Sequence, residues 1–210
     1  MNFTAAEALT TLVAVIGGVS LAAACGLRVF VPMLILSIAG KVGLVTLGSQ
    51  FGWLTSTPAL VSFGVASVVE ITAFYWPWLD HALDSLAVPC SVTAGTLAVA
   101  SQVTGMDPWM TWMVGIVAGG GVAGLVQTGT IVLRGLSLAA TGGFANPIVA
   151  TVENIGAVLI AAFAILVPIV ALLLLGLVLF MTLYSIRKWR QARRAKMAAP
   201  RVVVAPVVAA

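Results

Sequence analysis

The chain has 210 residues, of which 61% are hydrophobic and only 8% are charged. Soluble domains carry about a quarter charged residues, so this composition excludes a water-covered surface and makes the bilayer the solvent. The net charge of +4 is local: seven of the ten basic residues lie between Arg187 and Arg201, and the chain before them holds three basic and six acidic residues.

A short basic cluster directly after an apolar run reads as a positive-inside signal rather than a nucleic-acid footprint. No nucleic-acid partner is therefore expected. Residues 187–210 are expected to form a cytoplasmic tail near anionic headgroups, disordered at its low-complexity end. Residues 1–186 are expected to form one transmembrane domain in a bacterial inner membrane.

In chain order, Ala5 to Ala24 is an apolar run long enough to span, and it is read as a retained helix although Ala22-Ala23-Ala24-Cys25 faintly resembles a lipoprotein cleavage site. Gly26-Leu27-Arg28 interrupts it. The following piece, Val29 to Gly40 with Pro32 near its start, is short for a crossing and reads as a re-entrant half-helix. Residues 48–57 form a polar loop with Trp53 as an interfacial anchor. Pro58 to Leu79 is the next span, with Glu70 inside it and Tyr75, Trp76 and Trp78 at its end.

Asp80, His81 and Asp84 then mark a membrane edge, and Leu86 to Val103 spans again. Asp107-Pro108 starts a helix whose run Met110 to Gln127 contains Gly115, Gly119, Gly120, Gly121 and Gly124. Their spacing lets another helix approach closely. Gly129 to Glu153 reads as a short apolar piece around Arg134, a Thr141-Gly142-Gly143 turn and an Asn146-Pro147 helix start. Here irregular, partly polar backbone is expected at membrane depth. Ile148 to Tyr184 is either two crossings meeting near Val167-Pro168 or one long kinked helix.

A shift of 103 residues places Gly18, Gly26 and Gly40 on Gly121, Gly129 and Gly143, and beyond a gap Val69-Glu70 falls on Val152-Glu153. The halves 5–104 and 109–186 thus suggest a duplication. If the Arg-bearing piece fails to cross in each half, the copies are inverted, as in many secondary transporters. Arg28 and Arg134, with Glu70 and Glu153, then predict two Arg–Glu pairs inside the bundle. Such pairs either fix packing or form an ion or substrate site. Asp80, His81 and Asp84 allow an ion or proton site, or simply a helix cap and a solvated edge. Asn146, at a helix start after glycines, could help bind an anionic group.

Cys25 and Cys90 are too few for a metal centre, and His81 is the only histidine, so no metal and no cofactor is expected. No P-loop, Ser/His/Asp arrangement or Cys-x-x-Cys occurs, and no enzymatic activity is expected.

Gly26-Leu27-Arg28 with Pro32, the run Pro77-Trp78-Leu79-Asp80-His81-Ala82-Leu83-Asp84, and Thr141-Gly142-Gly143 with Asn146-Pro147 and Glu153 resemble an uncharacterised bacterial membrane family, domain of unknown function 4126. The likeness covers roughly residues 10–175. Where that family carries charged residues after the position of Glu70, this chain has Ala73, Phe74 and Tyr75. The resemblance implies an integral membrane protein and no defined activity.

The sequence therefore predicts an all-α, polytopic transmembrane bundle of about six spans with one or two re-entrant half-helices. Its leading function is a small transporter, permease or lipid translocator centred on Arg28, Glu70, Arg134 and Glu153. The alternative is a non-catalytic accessory or assembly subunit of a larger membrane complex. Expected partners are membrane lipids, with a homo-oligomer or such a complex as further options.

Overall fold

The computed structural model describes residues 5–73, 77–142, 144–168 and parts of 170–191, with the side chains of 5–9, 11 and 77–85 outside that description. It is all-helical, and no strand occurs among the described residues. The order is α1 (Ala5–Cys25), α2 (Phe30–Lys41), a 3-10 helix (Ser49–Thr55), α3 (Thr57–Ala73) and α4 (Pro77–Gln102). Then come α5 (Pro108–Val114), a π-helical segment (Gly115–Gly120), α6 (Gly121–Thr141) and α7 (Asn146–Leu166).

Length and composition qualify Pro108–Thr141 and Asn146–Leu166 as membrane crossings, and a third if the 3-10 helix and α3, bent by 59°, count as one broken span. The six crossings expected from the sequence thus stand at two or three by this measure.

The centre of the bundle is the second half of α1. Leu21, Ala22, Ala23, Ala24 and Cys25 are all fully buried, packed on α4, α6 and α7. Small side chains let neighbouring backbones approach on every side, which is how helices pack tightly in lipid. A Cβ on Gly26 would lie 2.5 Å from the Ala123 carbonyl oxygen, so only glycine fits where the chain leaves α1.

The chain then folds back. α2 is 12 residues long, about 18 Å at 1.5 Å per residue, well short of a bilayer's hydrocarbon core. Its last residue, Lys41, donates to Thr57 Oγ1 at the start of α3, and the Gly48 amide donates to the Ser101 carbonyl at the end of α4. Gly17 of α1 faces Gln102 of α4 and Ala164 of α7. Both arms of the α1–α2 hairpin therefore start and finish at one end of the bundle, and its tip, residues 26–29, stops inside. The short half-helix expected after Gly26 is present.

The 3-10 helix replaces the expected polar loop at 48–57, and it buries Phe51 and Leu54 while leaving Trp53 half exposed. The run expected from Pro58 to Leu79 is described as α3 from Thr57 to Ala73, and α4 is described from Pro77. α4 continues through Pro89 to Gln102, and the backbone of 80–84 is part of it.

The largest correction concerns 129–141. The segment is not an irregular short piece but the continuation of one 34-residue helix running from Pro108 to Thr141. No proline lies between Pro108 and Pro147, and an interior glycine costs only about 1 kcal/mol against alanine. Three of the clustered glycines, Gly115, Gly119 and Gly120, sit in the π-helical segment. There a Cβ on Gly119 would collide with the carbonyl of Gly95, and one on Gly115 would lie 2.9 Å from Thr96 O. The close approach expected from the glycine spacing is thus made with α4. The backbone breaks only at Gly142, whose left-handed φ of 63° terminates α6. α7 opens at Asn146-Pro147 and ends at Leu166, before Pro168, as the sequence indicates.

Candidate functional site

The hairpin tip carries Arg28, 1% exposed, into the middle of the bundle. Its Nη1 lies 3.1 Å from Glu153 Oε2, its Nε donates to Asn154 Oδ1 (2.5 Å), and its Nη2 donates to the Ala150 carbonyl (3.2 Å). α7 thus meets all three guanidinium nitrogens, and Nη1 also donates to the Leu27 carbonyl (3.3 Å), a geometry in which arginine satisfies several acceptors at once. Arg134, on α6, donates to the same carboxylate through Nη2 (2.6 Å, Oε2) and Nε (3.3 Å, Oε1). Glu153 is therefore shared by two arginines from opposite sides. Two charge-assisted donors on one buried carboxylate lock three elements together.

Glu70 behaves differently. Its Oε1 and Oε2 accept from the backbone amides of Val29 (2.6 Å) and Phe30 (3.0 Å). These are among the first N–H groups of α2, which have no intrahelical partner and no local cap. A carboxylate 40 residues away in sequence therefore caps the half-helix and meets the positive end of its dipole. The two separate Arg–Glu pairs expected from the sequence are replaced by one Arg28–Glu153–Arg134 bridge and one glutamate cap.

The repeat-related positions thus diverge in role. In the first half the chain turns back at 26–29, while at the matching positions of the second half α6 runs straight. As a result α3 runs parallel to α1 and α7 runs against it, and Glu70 and Glu153 approach the same tip from helices of opposite direction.

Asn146 opens α7, and its side-chain oxygen is buried without a hydrogen-bond partner. The hydroxyl of Ser137, one turn beyond Arg134, is in the same state. The side chains of Asp80, His81 and Asp84 lie outside the described residues. Among the described residues no group of three His, Cys, Asp or Glu side chains could hold a metal ion.

Two members of the site were missed from sequence, Asn154 and the paired amides of Val29 and Phe30. Asn154 was legible as a polar neighbour of Glu153 inside an apolar run. The amides carry no side-chain signal.

Two apolar grooves flank the tip. One, about 470 Å³, lies between the start of α2, α3 and α4, and Glu70 is among its walls. The other, about 280 Å³, lies between α6 and α7, and Glu153 is among its walls. Leu27 faces the second and Val29 and Phe30 face the first, so the residues on either side of Arg28 divide between them.

No curated protein and no solved structure matches the chain. The motifs around the tip, around Pro77 to Asp84 and around Gly142 to Glu153 all lie within the reach of one family model, which matches residues 15–188. The chain belongs to that family, described as Domain of unknown function (DUF4126).

Proposed function

We propose that this chain is a non-enzymatic permease of a bacterial inner membrane, moving a small solute or a lipid past the charged hairpin tip. The observation that carries the reading is the α1–α2 hairpin, which ends at mid-bundle with Arg28 held by Glu153 and α2 capped by Glu70. Interrupted helices with buried charges near the midplane are the usual seat of a transport site. The bridge is also divisible, since Glu153 can stay with Arg134 while Arg28 leaves, which would free the tip to move.

In this reading α4 and the run after Pro168 supply further crossings toward the expected six, with the basic tail cytoplasmic. The opposite directions of α3 and α7 at the tip support an inverted relation for that part of the two halves. The accessory-subunit alternative rests on glycine-rich faces; Gly115, Gly119 and Gly120 are covered by α4, while Gly121 and Gly129 face open space and leave room for such a contact.

The test is reconstitution of the purified chain into phosphatidylcholine–phosphatidylglycerol vesicles. Anion and cation leak would be followed with a potential-sensitive dye, and lipid flip-flop with a fluorescent phospholipid and an impermeant quencher. Flux above protein-free vesicles that is lost in Arg28→Gln supports the reading. A folded chain with no flux, recovered from membranes bound to unrelated subunits, sinks it in favour of the accessory role.

A further inference from the structure

We propose that the two grooves beside the hairpin tip are a matched pair of binding sites for the alkyl chains of membrane lipids. Packing voids have no reason to recur at equivalent positions, but these do. α3 lines the first groove with Val65, Ala66, Val69 and Glu70. α7 lines the second with Ile148, Val149, Val152 and Glu153. Counted back from each glutamate, these four positions take the same steps, with Val61 and Ser62 extending the first wall and Gly156 the second, and these are the glutamates that the internal repeat aligns. The opposite wall is matched in kind, with Phe30 in one groove and its repeat counterpart Leu133 in the other.

The lining chooses the ligand. Apart from the glutamates, whose carboxylates are already engaged by amides or arginines, and the hydroxyls of Ser62 and Thr130, the walls are apolar. A polar solute would lose its hydration there without recovering hydrogen bonds, whereas a hydrocarbon chain loses nothing. The mouths are framed by exposed apolar side chains, Val61, Val65 and Leu86 at the first and Leu125, Ile148 and Val152 at the second. In a bilayer those faces already touch lipid, so each groove continues the hydrocarbon phase inward to the tip. The first groove also adjoins a cavity of about 440 Å³ that shares Val29, Phe30, Leu86 and Cys90 with it. Together they make a continuous open groove along the start of α2, of the size that holds small ligands. The inference stands on groove geometry and not on transport, so lipid binding without flux leaves it intact.

The experiment uses the full chain in nanodiscs of phosphatidylcholine and phosphatidylglycerol containing a trace of phospholipid with a diazirine on its acyl chain. After irradiation, adducts are mapped by peptide mass spectrometry. The expected result is a several-fold enrichment at 61–69 with 86–90, and at 125–133 with 148–156, over the comparably exposed Val117 and Leu166 outside the grooves. Ala66→Trp, which narrows the first groove, should remove the adducts there and keep those of the second. Adducts spread evenly over all exposed apolar residues would overturn the proposal, because the grooves would then hold only annular lipid. So would a Cys90-to-Cys90 crosslink between two copies accompanied by the absence of groove adducts, since a second chain would then cover the first groove.

Discussion

Glu153→Gln is the most informative perturbation. The substitution keeps shape and one acceptor oxygen but removes the negative charge paired with both Arg28 and Arg134, at 3.1 and 2.6 Å. All three side chains are at least 95% buried, with exposures of 0%, 4% and 5%, so water cannot replace the lost partner. Breaking a buried pair by removing one member destabilises by about 3–5 kcal/mol, because the remaining charge is left without compensation. Here two cations lose one shared anion, while Asn154 and the Ala150 carbonyl still hold part of Arg28. That retained bonding places the expected loss near the lower bound, about 3 kcal/mol. The assay is reversible unfolding in mixed micelles, as a double-mutant cycle with Arg28→Met and Arg134→Met. Each cycle should show a coupling of about 1–3 kcal/mol. A loss below about 0.5 kcal/mol, the usual range for surface changes, with no coupling to either arginine, would refute the shared-carboxylate account.

Glu70→Ala should uncap α2 and lower stability by about 1–2 kcal/mol, with faster hydrogen exchange at the Val29 and Phe30 amides than elsewhere in α2; unchanged exchange there would remove Glu70 from that role. Gly119→Ala should disrupt the α4 contact because its Cβ meets the Gly95 carbonyl, whereas Gly121→Ala, with open space around it, should be neutral or stabilising by up to about 1 kcal/mol. Equal effects in the two variants, read by thermal unfolding, would contradict the packing described.

Much of the site was legible because charge is so rare in this chain that each buried ionisable residue stands out. Arg28, Glu70, Arg134 and Glu153 all converge on the tip, and the short α2 followed from its length and the Gly26–Arg28 interruption. What escaped was pairing and continuity. Sequence symmetry matched Glu70 with Glu153, yet one binds amides and the other guanidiniums, a choice made by whether the chain turns back at the neighbouring arginine. Local composition around 129–141 resembles that of 26–40, but Pro32 has only Gly135 at its matching place, and without proline or a capping carboxylate the helix continues. The π-helical segment was invisible for a related reason: it arises where α4 presses on Gly115, Gly119 and Gly120, and that is a tertiary contact.

The hairpin tip also imposes an order on assembly. Arg28 reaches its acceptors on α7 across a sequence separation of 126 residues. At about 5–20 residues per second of synthesis, the arginine waits on the order of ten seconds for Glu153 and Asn154 to exist. During that interval Arg28 is without the carboxylate and amide that α7 supplies, which leaves part of its cost in hydrocarbon unrecovered. The hairpin that lies at the centre of the finished bundle is therefore placed late, closing between helices made after it, although it is the first part of this chain to be made.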